Sequence, residues 1–155
     1  MVIVIYYENL TLVKKNVNYT NRFNQGIWIE ERRNDIQYYY HSRQLVCQKI
    51  PEGPIWSAMP LTSIWLIKAV GTPGFHGWFV IAGDHPTDIV GMGGLSGPQD
   101  ALYYFSKKWK RAAEQLIAGD SFPDFRINNI EDRPRFGEVI KERAFQIEKI
   151  ADNFE

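Results

Sequence analysis

The sequence predicts an α+β fold: a small antiparallel sheet of two to four strands, packed by three main helices in a single domain. Three observations carry this. Two nearly continuous apolar runs, TSIWLIKAV at 62–70 and GWFVIAGD at 77–84, read as strands covered on both faces or central in a sheet. The link between them, GTPGFHG, is short and rich in glycine and proline, which suits an antiparallel hairpin. Apolar stripes at helical spacing lie on either side, and no strand–helix–strand alternation or glycine-rich phosphate loop argues for a doubly wound sheet.

In chain order, residues 1–26 form an N-terminal arm, and 27–155 form the α+β domain. Within the arm, Val2–Tyr7 is β-branched and aromatic and reads as a strand, with LTLV at 10–13 as a second short candidate. Residues 9–25 are otherwise polar and weakly patterned. From Ile27 to about Leu45 a helix is expected, with Trp28, Arg32, Ile36, Tyr39, Tyr40 and Arg43 on one face. Glu30 and Glu31 would occupy its first turn and His41 its last, each favourable against the helix dipole. PEGPIWSAMP, with its three prolines, reads as a loop.

After the two strands, a short third strand is expected at Asp88–Val90. GMGG at 91–94 matches no dinucleotide fingerprint and reads as a link. The run Ser96-Gly97-Pro98-Gln99-Asp100 is a helix start: proline suits the first helical position and aspartate the first turn. A helix then runs over 98–118, with Leu102, Phe105, Trp109, Ala112, Ala113 and Leu116 as its buried stripe and Lys107, Lys108, Lys110 and Arg111 on the solvated side. Gly119 supplies a left-handed cap. A loop carrying Pro123 and Pro134 leads to the last helix, 135–153, with Phe136, Ile140, Ala144, Ile147 and Ile150 on its apolar face.

Composition narrows the function. The 155 residues are 45% apolar and 14% aromatic, with 18 basic residues against 18 acidic. Balanced charge gives no footprint for nucleic acid or an anionic membrane, since both draw on a basic excess. High aromatic content favours recognition surfaces as well as cores. A lone cysteine, Cys47, excludes an internal disulfide framework and fits a reducing, cytoplasmic compartment. No run is long enough to span a bilayer, and VIVIYY lacks the basic flank of a signal peptide.

Several segments together resemble a family. Trp28 with Glu31 and Arg32, then IWLIKAV, PGFHGWFVIAGDHPTDIV, PQDALYYFSKKWKRAAEQL and ERAFQIEKIADNFE are similar to an uncharacterised bacterial domain-of-unknown-function family. Its pattern is a tryptophan-led helix, a G-W-x-x-I-x-G-D-x-P-T-D-Y element and a P-x-x-A-L-x-x-F-x-x-x-W helix. The resemblance runs from Trp28 to Glu155. This chain places Ile89 where the family often has tyrosine, and its N-terminal arm has no counterpart. The resemblance implies domain limits and a central motif, and no activity.

That motif, GDHPTD at 83–88, holds most of the candidate site residues. Asp84, His85 and Asp88 are the candidates for catalysis, and Arg32, Trp78, Asp84, His85, Thr87 and Asp88 those for binding. The structural reading has Asp84 ending a strand, Pro86 forcing a turn, and Thr87 or Asp88 bracing the next segment through side-chain bonds to backbone. Arg32, on the apolar side of its helix, would reach a carboxylate such as Asp84 or Asp88. A hydrolytic reading makes Asp84 or Asp88 a general base oriented by Arg32 or a histidine. A metal reading would recruit Asp84, His85 and Asp88 with His76, but the spacing is not that of a metal site, so no metal and no cofactor is expected. Cys47 reads as a small buried filler rather than a nucleophile served by His41, His76 or His85. Trp65 and Trp78 would line the pocket of a small-ligand sensor.

The expectation is a non-catalytic protein-binding domain: an immunity-type or accessory factor whose partner is another protein, such as a cognate toxin. The alternative is a small hydrolase or metal-dependent enzyme centred on GDHPTD. No nucleic-acid or membrane partner is expected.

Overall fold

A computed structural model describes residues 17–46, 49–69, 76–125, 127 and 129–155. The two strands expected in the N-terminal arm, at 2–7 and 10–13, with the hairpin they could form, lie outside the described residues, as do Cys47 and most of the GTPGFHG link. The fold is α+β, with three helices and a four-stranded antiparallel sheet. The described residues form two compact units, one up to Ala101 and the other from Leu102.

The first unit opens with helix α1, Arg22–Ser42. It begins earlier than the expected Ile27 because Asn21 caps it, its side chain accepting the Phe23 N–H at 2.8 Å. Periodicity could not show these first turns, since Phe23 and Ile27 are exposed and the first buried residue is Trp28. The earlier start moves Glu30 and Glu31 out of the first turn, which holds no acidic residue. Glu30 instead pairs with Arg33 at 2.9 Å. Four members of the expected face, Trp28, Ile36, Tyr39 and Tyr40, are buried as the spacing required. His41 does lie in the last turn.

The sheet order is β1-β2-β3-β4. Strands β2, Thr62–Lys68, and β3, Gly77–Gly83, pair antiparallel along their whole length, from Thr62↔Gly83 to Lys68↔Gly77. This is the expected hairpin. The expected loop at 51–60 contains β1, Trp56–Ala58, which pairs with Ile64–Thr62. Its three residues lie at a sheet edge, where flanking prolines remove no ladder bond that the sheet needs.

The fourth strand is also longer than expected. β4 runs His85–Gly91, so HPTD belongs to a strand and not to a turn. Pro86 is tolerated because β4 is an edge strand with an irregular register. Between Ile81↔Asp88 and Gly83↔His85, two steps along β3 face three along β4, so the extra residue sits on the strand that carries Pro86.

Alternation puts Ser63, Trp65 and Ile67 on one face with Val80 and Ala82 of β3. Ile36, Tyr39 and Tyr40 of α1 pack with Trp65, Ile67, Val80 and Ala82, and Ile29, Ile50 and Ile89 border the cluster. Each such large apolar side chain contributes about 1.5–3 kcal/mol on burial. The other face carries Ile64, Phe79 and Ile81, all buried.

Helix α2, Pro98–Ile117, starts at the expected proline. Asp100 Oδ2 accepts the Ser96 N–H at 2.8 Å and fixes that start. In the second unit its stripe, Leu102, Phe105, Trp109, Ala112, Ala113 and Leu116, is buried throughout. Gly119, at φ +89°, ends the helix: its N–H bonds Leu116 O, and the Asp120 N–H bonds Gln115 O.

A 3-10 turn, Ile130–Asp132, precedes α3, Arg133–Asp152. Pro134, expected in the loop, is in the first helical turn, where a missing N–H costs nothing. Phe136, Ile140, Ala144 and Ile147 are buried as expected, while Ala151 rather than Ile150 completes the buried face. Ser106 Oγ donates to Ala144 O at 2.9 Å, and a Cβ on Gly137 would come within 2.9 Å of the Ile117 amide nitrogen. The two helices thus touch almost backbone to backbone.

Candidate functional site

The motif GDHPTD lies where the β3–β4 hairpin closes. Thr62 of β2, Gly83 of β3 and His85 of β4 fall in one row across three strands. Gly83 has no side chain, so the imidazole of His85 passes over it. A Cβ built on Gly83 would be 2.8 Å from His85 Nε2 and 2.7 Å from Thr62 Cα, and would overlap the Leu61 carbonyl oxygen. The ring therefore reaches Thr62, with Nε2 at 2.8 Å from Oγ1. Its Nδ1 lies 2.9 Å from the Pro86 carbonyl. A carbonyl only accepts, so Nδ1 carries the proton, and in the neutral ring Nε2 accepts from the Thr62 hydroxyl. His85 is 2% exposed.

Beside it runs a second buried chain. The indole N–H of Trp65 donates to Ser63 Oγ at 2.8 Å, and Ser63 Oγ donates to Ala82 O at 2.7 Å. Buried polar groups held in this way fix strand register more than they add net stability.

The carboxylates of the motif differ. Asp84 is half-buried in the tight turn, its N–H donating to Leu61 O at 2.9 Å, which ties the β3–β4 turn to the start of β2. Asp88 lies within β4 at 3% exposure, opposite Ile81, and its Oδ1 accepts the Ile89 N–H at 2.9 Å. Bracing of backbone by Asp88 was the expected structural role. Its place in a strand agrees with the short strand expected at Asp88–Val90, which begins three residues earlier, at His85. Thr87 is also buried.

The other candidates lie elsewhere. Arg32 does meet a carboxylate, but that carboxylate is Asp35: Arg32 Nε is 2.7 Å from Asp35 Oδ2, one helical turn away on α1. Its guanidinium also lies 3.7 Å from Glu31 and 5.2 Å from the centre of the Trp28 ring. The expected reach to Asp84 or Asp88 is therefore replaced by local partners, which helical spacing supplies at no cost in chain closure. Burial raises the pKa of Asp35 from its ordinary value, against the opposing pull of Arg32.

Trp78 pairs with Gly91, at the end of the hairpin away from Gly83 and His85. His76 precedes Gly77 at that same far end, so it is not assembled with Asp84, His85 and Asp88. Among the described residues no three His, Cys, Asp or Glu side chains are grouped so as to hold a metal ion. Trp65 is wholly buried in the α1 core, where its ring is packing and its N–H is engaged by Ser63.

What the arrangement does chemically follows from access. A general base needs a ring nitrogen or carboxylate within hydrogen-bond reach of a substrate. His85 presents both nitrogens to protein atoms and almost no surface to solvent.

One accessible feature lies along α1. Asn34, Gln37, Tyr38, His41 and Leu45 line an open groove of about 400 Å³. Spacing places Asn34, Gln37, Tyr38 and His41 along one side of the helix, away from the buried Ile36, Tyr39 and Tyr40, and Leu45 lies just beyond the helix end. Tyr38 is 40% exposed, Leu45 42% and Val46 81%. The sequence suggests a role here only for His41, at the helix end, and none for Asn34, Gln37, Tyr38 or Leu45. The available signal was apolar or aromatic residues at Tyr38 and Leu45, off the predicted core face.

A family model described as Domain of unknown function (DUF4826) matches residues 22–154. The chain belongs to this family. The DUF4826 match begins at Arg22, the first residue of α1, and so includes the five residues that periodicity assigned to the arm. It covers the Gly83–His85 row, the Ser63–Trp65 pair and the α1 groove alike. Comparison with curated proteins and with solved structures gives no match. Among the described residues, no helix is long and apolar enough to cross a membrane.

Proposed function

We propose that this chain is a non-catalytic protein-binding domain, an immunity-type or accessory factor of a bacterial cytoplasm that binds and masks another protein such as a cognate toxin. The observation that carries the reading is the α1 groove, where an aromatic and an aliphatic side chain stand exposed among the hydrogen-bonding groups of Asn34, Gln37 and His41. Tyrosine beside adaptable polar groups is the composition of recognition surfaces. The polar motif GDHPTD supports the same reading from the other side. His85 and Asp88 are buried and bonded to Thr62, Pro86 and Ile89 of the sheet.

The test is affinity capture from the native cell with the parent chain and with a Tyr38→Glu/Leu45→Glu variant of matched melting temperature. Capture of one partner by the parent and its loss with the variant is the expected result. Equal capture by both, or none by either, overturns the proposal. The toxin component has its own readout: the captured protein, expressed alone, arrests growth, and co-expression of this chain relieves the arrest.

A further inference from the structure

We draw no further inference here: the strongest candidate, the open groove on the exposed side of α1 between Asn34 and Leu45, belongs to the surface already described, and nothing in the structure shows the chemistry of what covers it.

Discussion

His85 Nε2 bonds the Thr62 hydroxyl at 2.8 Å across an intervening strand, over the bare backbone of Gly83. The bond joins β4 to β2 directly, beyond the ladder that already joins each to β3. Thr62→Val keeps the shape of the side chain and removes its donor, so a buried imidazole nitrogen loses this partner. The expected cost is about 1–3 kcal/mol. For a chain of this size that lowers Tm by roughly 2–10 °C. In a double-mutant cycle with His85→Phe, the second replacement is expected to cost less in the presence of the first. Strict additivity of the two would show that the pair is not coupled.

Gly83→Ala tests the same row from its middle. The added methyl meets backbone on two sides, the Leu61 carbonyl and Thr62 Cα, as well as the imidazole. Backbone cannot swing aside as a flexible side-chain tip can, so overpacking here is expected to cost about 1–3 kcal/mol or more. Gly93→Ala is the control, because a Cβ there has open space around it. Equal denaturation midpoints for the two variants would refute the close-approach account.

Much of this fold was readable in the sequence. The β2–β3 hairpin was legible because Ile64–Ile67 and Trp78–Ile81 form continuous apolar runs, and the α2 stripe because Leu102 to Leu116 repeats at helical spacing. The missed and shortened elements share a cause. β1 is a three-residue edge strand between prolines, and β4, expected only over Asp88–Val90, opens with the polar run His85-Pro86-Thr87-Asp88, so neither has the periodicity of a buried strand. The start of α1 was hidden because its first turns are exposed and only the Asn21 cap marks them. Within the site, GDHPTD was visible as a polar cluster. Its partner Thr62 was not, because a bond across an intervening strand depends on the register of three strands at once. Arg32 turns a mostly buried side chain to a carboxylate as the sequence suggests, but that carboxylate is Asp35, one turn on, and not the more distant Asp84 or Asp88.

Asp35 gives a pH signature. Burial holds its carboxyl above the ordinary value in spite of Arg32. An acid whose folded value is raised favours folding in its protonated form. That contribution is complete below the unfolded value and is lost as pH rises through the folded one. The stability of the parent relative to Asp35→Asn is therefore expected to fall as pH rises through the Asp35 midpoint and then to level off. Carbon-detected NMR titration of the carboxyl gives the midpoint directly; a value at or below that of a free aspartate would contradict the dominance of burial.

Asp88 separates a structural from a catalytic role for the motif. Its carboxylate is buried within β4 and accepts the Ile89 N–H, a charge-assisted bond of the kind worth about 1.5–3 kcal/mol. Asn at this position keeps one acceptor oxygen but loses the charge and places an NH2 group where the site was built for an acceptor. If the carboxylate serves the sheet, Asp88→Asn is expected to lower Tm by about 5 °C. Catalytic carboxylates behave in the opposite way, because a site held for function is often strained, and neutralising it leaves stability unchanged or improved. Asp84 is the informative companion. It is half-buried in the turn, and its backbone N–H bond to Leu61 survives the substitution, so Asp84→Asn is expected to cost less than Asp88→Asn. Thermal melts of both variants decide the matter: two variants as stable as the parent would mean that GDHPTD is kept for chemistry, and the protein-binding proposal would lose its second support.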